Sequence, residues 1–196
     1  MKKINTIIYG ATGSVGSSTL SIINKNKKII NVEGITCNSN LEKLVTIAKS
    51  YNVKKIGFNE NSLKKNNNLN LNKYEIFNDT KNFHKLISKK TDVIIFAISG
   101  LSSFDLFLKI LKSGKKIGIA NKECIISFGK KIITVSKKYN TEIIPLDSEH
   151  NSIYQLLKYN FGKYKSLTIT ATGGPFINFN KQQLNNVTLK QAIKHP

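Results

Sequence analysis

Three glycines spaced two residues apart, Gly10, Gly13 and Gly16, follow the largely apolar run Ile4–Tyr9 and lead into a helix-compatible segment at 17–23. Strand, glycine turn and helix in that order is the opening of a βα unit. The glycines let backbone amides approach a pyrophosphate, and the helix start adds positive partial charge at the same point. The spacing is Gly-x-x-Gly-x-x-Gly, not Gly-x-Gly-x-x-Gly; it keeps the tight turn and adds the hydroxyls of Thr12 and Ser14 as anion ligands. A nucleotide is the ligand this arrangement favours.

Further strands are expected at 31–37, 54–58, 74–77, 92–98, 115–120, 142–146 and 167–171, alternating with helices at 41–51, from Asp79 to about 89, 104–112, 123–138 and 152–159. The alternation predicts an α/β fold: a doubly wound, mostly parallel Rossmann-like sheet. No acid closes the second strand, where an NAD-selective site places a carboxylate for the ribose hydroxyls. Asn38-Ser39-Asn40 stands there instead, which tilts the expectation to NADP, although the trio lacks the cation that would best hold a 2′-phosphate. The segment 59–73, with an Asn-Asn-Asn run and few apolar anchors, reads as a surface excursion, and a capping box is expected at Thr188 and Gln191.

Two stretches stand at predicted strand ends. Asn121-Lys122-Glu123 follows the strand at 115–120, where open parallel sheets place ligand contacts; the plainer reading is Asn121 capping the next helix, with two ordinary first-turn charges. Asp147-Ser148-Glu149 follows Pro145-Leu146 in a chain with 11 acidic against 31 basic residues. On a strand, Asp147 and Glu149 would point to one side, whereas on a helix they diverge by about 200°. Two carboxylates on one side chelate a hard divalent ion; the alternative is a strand-end turn in which Asp147 or Ser148 caps a helix.

The formal charge is +20, yet every basic residue is lysine. A chain that reads nucleic acid by sequence would use arginine forks, so no specific nucleic-acid partner is expected. Cys37 and Cys124 have neither disulfide nor zinc spacing. The apolar run after Met1-Lys2-Lys3 is too short for a signal peptide, and nothing approaches the ~18 apolar residues of a membrane span, so a cytoplasmic protein is expected.

The glycine turn, Asn121-Lys122-Glu123, Asp147-Ser148-Glu149-His150-Asn151, Thr172-Gly173-Gly174-Pro175-Phe176 and His195-Pro196 occur in that order. Together they resemble the 1-deoxy-D-xylulose 5-phosphate reductoisomerases, NADPH- and metal-dependent enzymes of the non-mevalonate isoprenoid pathway, over essentially the whole chain. The resemblance implies that Thr12, Gly13, Ser14 and Val15 hold the cofactor pyrophosphate, that Asn38, Ser39 and Asn40 lie near the adenosine ribose, and that Asn121 and Glu123 touch NADPH. It further implies that Lys122, Ser148, Glu149, Thr172 and His195 face a phosphorylated sugar substrate. Asp147 and Glu149 would bind magnesium or manganese, with cobalt a third candidate, and Lys122, Asp147 and Glu149 would carry the catalysis. The domains implied are a cofactor domain at 1–147 and the opening of an α+β catalytic domain at 148–196.

Three departures accompany the likeness. Ser39 stands where the family usually has a basic residue, Thr172 replaces a usual serine, and the family continues well beyond His195-Pro196 with a lid, a third metal carboxylate and a helical domain. The expectation is therefore an incomplete chain of very low activity, homodimeric when full length. The competing expectation is a non-catalytic NADP-binding module.

Overall fold

The computed structural model describes residues 2–63, 69–159, 164–168 and 174–193. The chain divides into two compact units, 1–155 and 156–196.

The first unit is built on seven parallel strands: β1 (Ile4–Tyr9), β2 (Ile30–Thr36), β3 (Lys55–Gly57), β4 (Glu75–Phe77), β5 (Val93–Phe96), β6 (Lys116–Ile119) and β7 (Ile143–Pro145). Their order is β4-β3-β2-β1-β5-β6-β7. All pairings are parallel, with Ile8 opposite Ile35 on one side and Ile95 on the other. The connections run outward from β1 through β2 to β4, then return past β1 and run outward again from β5 to β7, so the winding reverses between β1 and β5.

Burial on both faces explains why β1 is apolar at consecutive positions. Ile8 joins a core with Leu20 and Ile23 of α1 (Ser14–Lys25) and Leu41, Leu44, Val45 and Ala48 of α2 (Leu41–Ser50). Its neighbours Ile7 and Tyr9 point the other way. They pack with Phe107 and Ile110 of α3 (Phe104–Leu111) and Cys124 and Ile132 of α4 (Lys122–Tyr139). Helix α4 kinks at Phe128, whose ring stacks 3.8 Å from that of Phe104. Between β1 and β2 the register skips Glu33, whose carboxylate accepts hydrogen bonds from Lys55 (3.0 Å) and Thr91 (2.7 Å).

Several expectations are corrected. Helix α1 starts at Ser14 instead of residue 17, so Ser14, Val15 and Gly16 form its first turn. The segment after Asp79 is a run of 3-10 turns, Thr80–Leu86, rather than an α-helix, with Asp79 accepting from the Lys81 amide as expected. This connection must pass from β4 to β5 across four strand spacings, roughly 19 Å, and 3-10 geometry advances about 2.0 Å per residue against 1.5 Å for an α-helix. The 59–73 segment anchors itself better than expected, through buried Leu71. The helix after β7, α5 (Ser148–Tyr159), begins four residues earlier than expected.

The second unit is described at 156–159, 164–168 and 174–193, and none of these residues is buried. It contains a 3-10 turn, Gly174–Phe176, and the short helices α6 (Lys181–Leu184) and α7 (Leu189–Ala192). Both helices open with capping boxes, the second from Thr188 and Gln191 as expected. Leu167 and Thr168 are in neither helix nor strand, and the rest of the strand expected at 167–171 lies outside the described residues.

Candidate cofactor and metal site

The glycine turn leaves β1 at the point where the winding reverses, the place where open parallel sheets bind ligands. Gly10 has φ +84°, and a Cβ on it would lie 2.6 Å from the Ala97 carbonyl oxygen. The turn is thus pressed against the end of β5. Thr36 ties it to the end of β2: its Oγ1 accepts from Gly10 N–H (3.1 Å) and its carbonyl from Ala11 N–H (2.8 Å). Gly16, buried in the first turn of α1, has no room for a side chain, because a Cβ would overlap Gly10 O and Ala11.

Gly13 is different. Its backbone is extended, and a Cβ there would meet no protein atom other than Gly10 O, at an ordinary 3.5 Å. No side chain caps α1 and no acid stands in its first turn, so the positive helix end is left open. The space that a side chain at Gly13 would fill is the cradle a pyrophosphate requires, and the turn fits a dinucleotide. In front of it lies a cleft of about 580 Å³ walled by Gly10, Thr12 and Gly13, by Cys37 and Asn38 after β2, by Asn59 after β3, and by Ile98 and Ser99 after β5.

Two strands along, Asn121 is 1% exposed. Its amide nitrogen donates to Ile98 O (2.7 Å), Gly100 O (2.9 Å) and Ser103 Oγ (3.0 Å), while its Oδ1 accepts from Cys124 N–H (2.7 Å) and so caps α4. Asn121 therefore stitches the loop after β5 to the start of α4, with its polar atoms taken up inside the protein. Lys122 and Glu123 follow on the exposed first turn of that helix.

Lys122 reaches the acidic stretch: its Nζ lies 3.6 Å from Asp147 Oδ2. Of the two readings left open for Asp147 and Glu149, the strand gives way to the helix start, since β7 ends at Pro145 and α5 begins at Ser148. The helical reading holds because the Asp147 carbonyl accepts from Asn151 N–H (2.8 Å), the first bond of α5. Both carboxyls nevertheless sit at the start of one helix, two residues apart. Burial pushes the Asp147 carboxyl up, but the His150 backbone N–H, the Lys122 ammonium, the His150 ring and Glu149 outweigh it and hold it below the usual carboxylate range. His150 Nδ1 is buried without a hydrogen-bond partner, 3.6 Å from Asp147 Oδ1.

Two adjacent hard carboxylates suit magnesium, which takes one or two protein carboxylates and fills its octahedron with water or substrate oxygens. Among the described residues no group of three or more His, Cys, Asp or Glu is placed to hold a metal. Ser148 is exposed on the first turn of α5. Thr172 and His195 lie outside the described residues. Both cysteines are free and buried, and no described helix is long and apolar enough to cross a membrane.

The family and fold can be compared with known proteins. Residues 6–129 match the family profile of 1-deoxy-D-xylulose 5-phosphate reductoisomerase, and residues 143–196 match that of its C-terminal domain. The chain belongs to this reductoisomerase family. A family member from Pelagibacter ubique is 40% identical over the whole chain, and one from a Wolbachia of Drosophila simulans is 34% identical. The chain spans about half the length of these relatives, 51% and 50%. The Zymomonas mobilis reductoisomerase solved in complex with NADPH superposes with a TM-score of 0.80 at 28% identity, over 98% of this chain and 52% of that one. A reductoisomerase solved with NADPH, fosmidomycin and magnesium gives 0.76 at 28% identity, over 98% and 51%.

Sequence reasoning missed Thr36, Asn59 and Ser103 as members or supports of the site. Thr36 and Ser103 become visible only once the ends of β2 and β5 are known to flank β1. Asn59 sits in a segment whose composition suggested a featureless excursion.

Proposed function

We propose that this chain carries the cofactor domain, residues 1–147, and the opening of the catalytic domain, 148–196, with the metal ligands Asp147 and Glu149 at their junction, of an NADPH- and divalent-metal-dependent reductoisomerase converting 1-deoxy-D-xylulose 5-phosphate to 2-C-methyl-D-erythritol 4-phosphate. The observation that carries this reading is the placing of an open dinucleotide turn at β1 and the Lys122, Asp147, Glu149 cluster at β6 and β7, along one edge of one sheet. Two strand spacings, roughly 10 Å, separate β1 from β6, a distance a dinucleotide spans from its pyrophosphate to its nicotinamide.

In this reading Thr12, Gly13, Ser14 and Val15 face the pyrophosphate, Asn38, Ser39 and Asn40 face the adenosine ribose, and Asn121 and Glu123 set the nicotinamide end. Asp147 and Glu149 would hold magnesium, manganese or cobalt, which when bound supplies Lewis-acid polarisation to the substrate's ketone and neighbouring hydroxyl oxygens. NADPH held along this edge would supply the hydride for the reduction. Lys122 offsets developing negative charge, and Ser148, Thr172 and His195 hold the phosphorylated end of the substrate. A cytoplasmic protein suits the two buried thiols, and the full-length protein is proposed to be a homodimer.

A second reading, a nucleotide-binding module without chemistry, is favoured by the absence of a three-donor metal cluster among the described residues. Manganese titration followed by electron paramagnetic resonance separates the two. Saturable binding that Asp147→Asn abolishes supports the reductoisomerase; manganese binding indifferent to that substitution supports the module. With two carboxylates alone the ion is weakly held, so this 196-residue chain should oxidise NADPH very slowly with metal and substrate, and rapid turnover would overturn that expectation.

A further inference from the structure

NADPH differs from NADH by a phosphate on the adenosine 2′-oxygen, and a site that prefers it needs a cation at that oxygen and no carboxylate. The residues leading from β2 into α2, Cys37, Asn38, Ser39 and Asn40, provide neither. The cation stands one helical turn further on. Asn40 caps α2 by accepting from the Lys43 N–H at 3.0 Å. Leu41, Leu44, Val45 and Ala48 bury the opposite face of the helix, which leaves Lys43 on the outside. From there its Nζ crosses to the glycine turn, 2.8 Å from the Thr12 carbonyl oxygen and 3.5 Å from Ser17 Oγ.

The ammonium therefore stands between the end of β2, which faces the ribose, and the turn, which faces the pyrophosphate. Thr12, whose carbonyl holds the Lys43 ammonium, lines the cleft together with Asn38, so a 2′-phosphate on a ribose seated beside Asn38 would have this ammonium as a neighbouring cation. Among the described residues no carboxylate lies within ion-pair distance of Lys43. An ammonium has three donors, so the bond to Thr12 positions the group while leaving its charge and further donor capacity for an anion.

We propose that Lys43 is the 2′-phosphate ligand and sets the preference for NADPH, with the Ser39 hydroxyl as its neutral partner. This rests on the reading of the cleft as a dinucleotide site. A lysine that merely braces the glycine turn would serve both dinucleotides equally, and that difference decides the matter.

The test is calorimetric titration of the whole 196-residue chain with NADP⁺ and with NAD⁺, in the wild type, Lys43→Met and Lys43→Arg. Loss of one charge-assisted phosphate contact should weaken NADP⁺ binding by Lys43→Met about tenfold or more. NAD⁺ binding should change less than about twofold, and Lys43→Arg should restore the discrimination. Added salt should weaken NADP⁺ binding more steeply in the wild type than in Lys43→Met. Equal weakening of both dinucleotides, or no weakening of NADP⁺, overturns the role of Lys43 while leaving the dinucleotide site standing. A wild type that binds neither dinucleotide overturns the site reading and this proposal with it.

Discussion

At the scale of single residues, acids in this lysine-rich chain are few, and Glu33, Asp92, Glu142 and Asp147 each sit within ion-pair distance of a lysine. Glu33 sits at the register skip between β1 and β2. Burial alone pushes its carboxyl up, but hydrogen bonds from Ser88, Thr91 and Lys55, with the Lys55 charge, hold it below the ordinary glutamate range. A carboxyl depressed in the fold stabilises above its unfolded pKa, and that contribution is lost as pH falls through the folded value. Glu33→Gln should therefore cost about 1–2 kcal/mol near neutrality, on the scale of a charge-assisted hydrogen bond. The deficit should shrink toward pH 3 in urea titrations, and a deficit constant across that range would show that the carboxylate charge is not the source. Chemistry of this kind is invisible in a sequence: the residue is plain, but its partners lie on β3 and beside β5.

At the scale of elements, the glycine turn separates two uses of one residue type. Gly16 is demanded by the protein's own backbone, and Gly10 by its left-handed conformation and the approach of β5. Gly13 is demanded by neither. Gly16→Ala should lower stability by about 1–3 kcal/mol through overpacking. Gly13→Ala should leave the melting temperature within about 3 °C while weakening dinucleotide binding at least about tenfold. Thermal melts beside dinucleotide titrations check both, and a Gly13→Ala variant that binds as well as the wild type would remove the pyrophosphate from that position. The turn itself was legible because its spacing is local. Local pattern left Asp147 between two readings, a strand end and the cap of a helix, since Ile143-Ile144-Pro145-Leu146 continues the strand signal to its edge; the helix start is the one found. Local pattern could not show that the segment after Asp79 must stretch across four strands, which depends on where β4 and β5 lie in the sheet.

For the whole molecule, strand order decides most of what the sequence leaves open. The apolar runs of β1, β2, β5 and β6 identify themselves, but nothing in them states that β5 pairs with β1, and the approach of the glycine turn to Ala97 follows from that pairing. The two units also differ in burial: the first encloses two cores, while none of the second's described residues is buried. Limited proteolysis should accordingly cut beyond residue 159 first and leave a resistant fragment close to 1–155; early cleavage within β1 to β7 would contradict this. The central strand carries a consequence for synthesis as well. β1 pairs with β2 at Thr36 but awaits its second neighbour until Phe96 has been made, and at about 5–20 residues per second those intervening residues take roughly 3–12 s. For that interval the nascent chain holds a largely apolar strand with one edge unpaired, and that open edge is what a chaperone would have to cover until β5 is made.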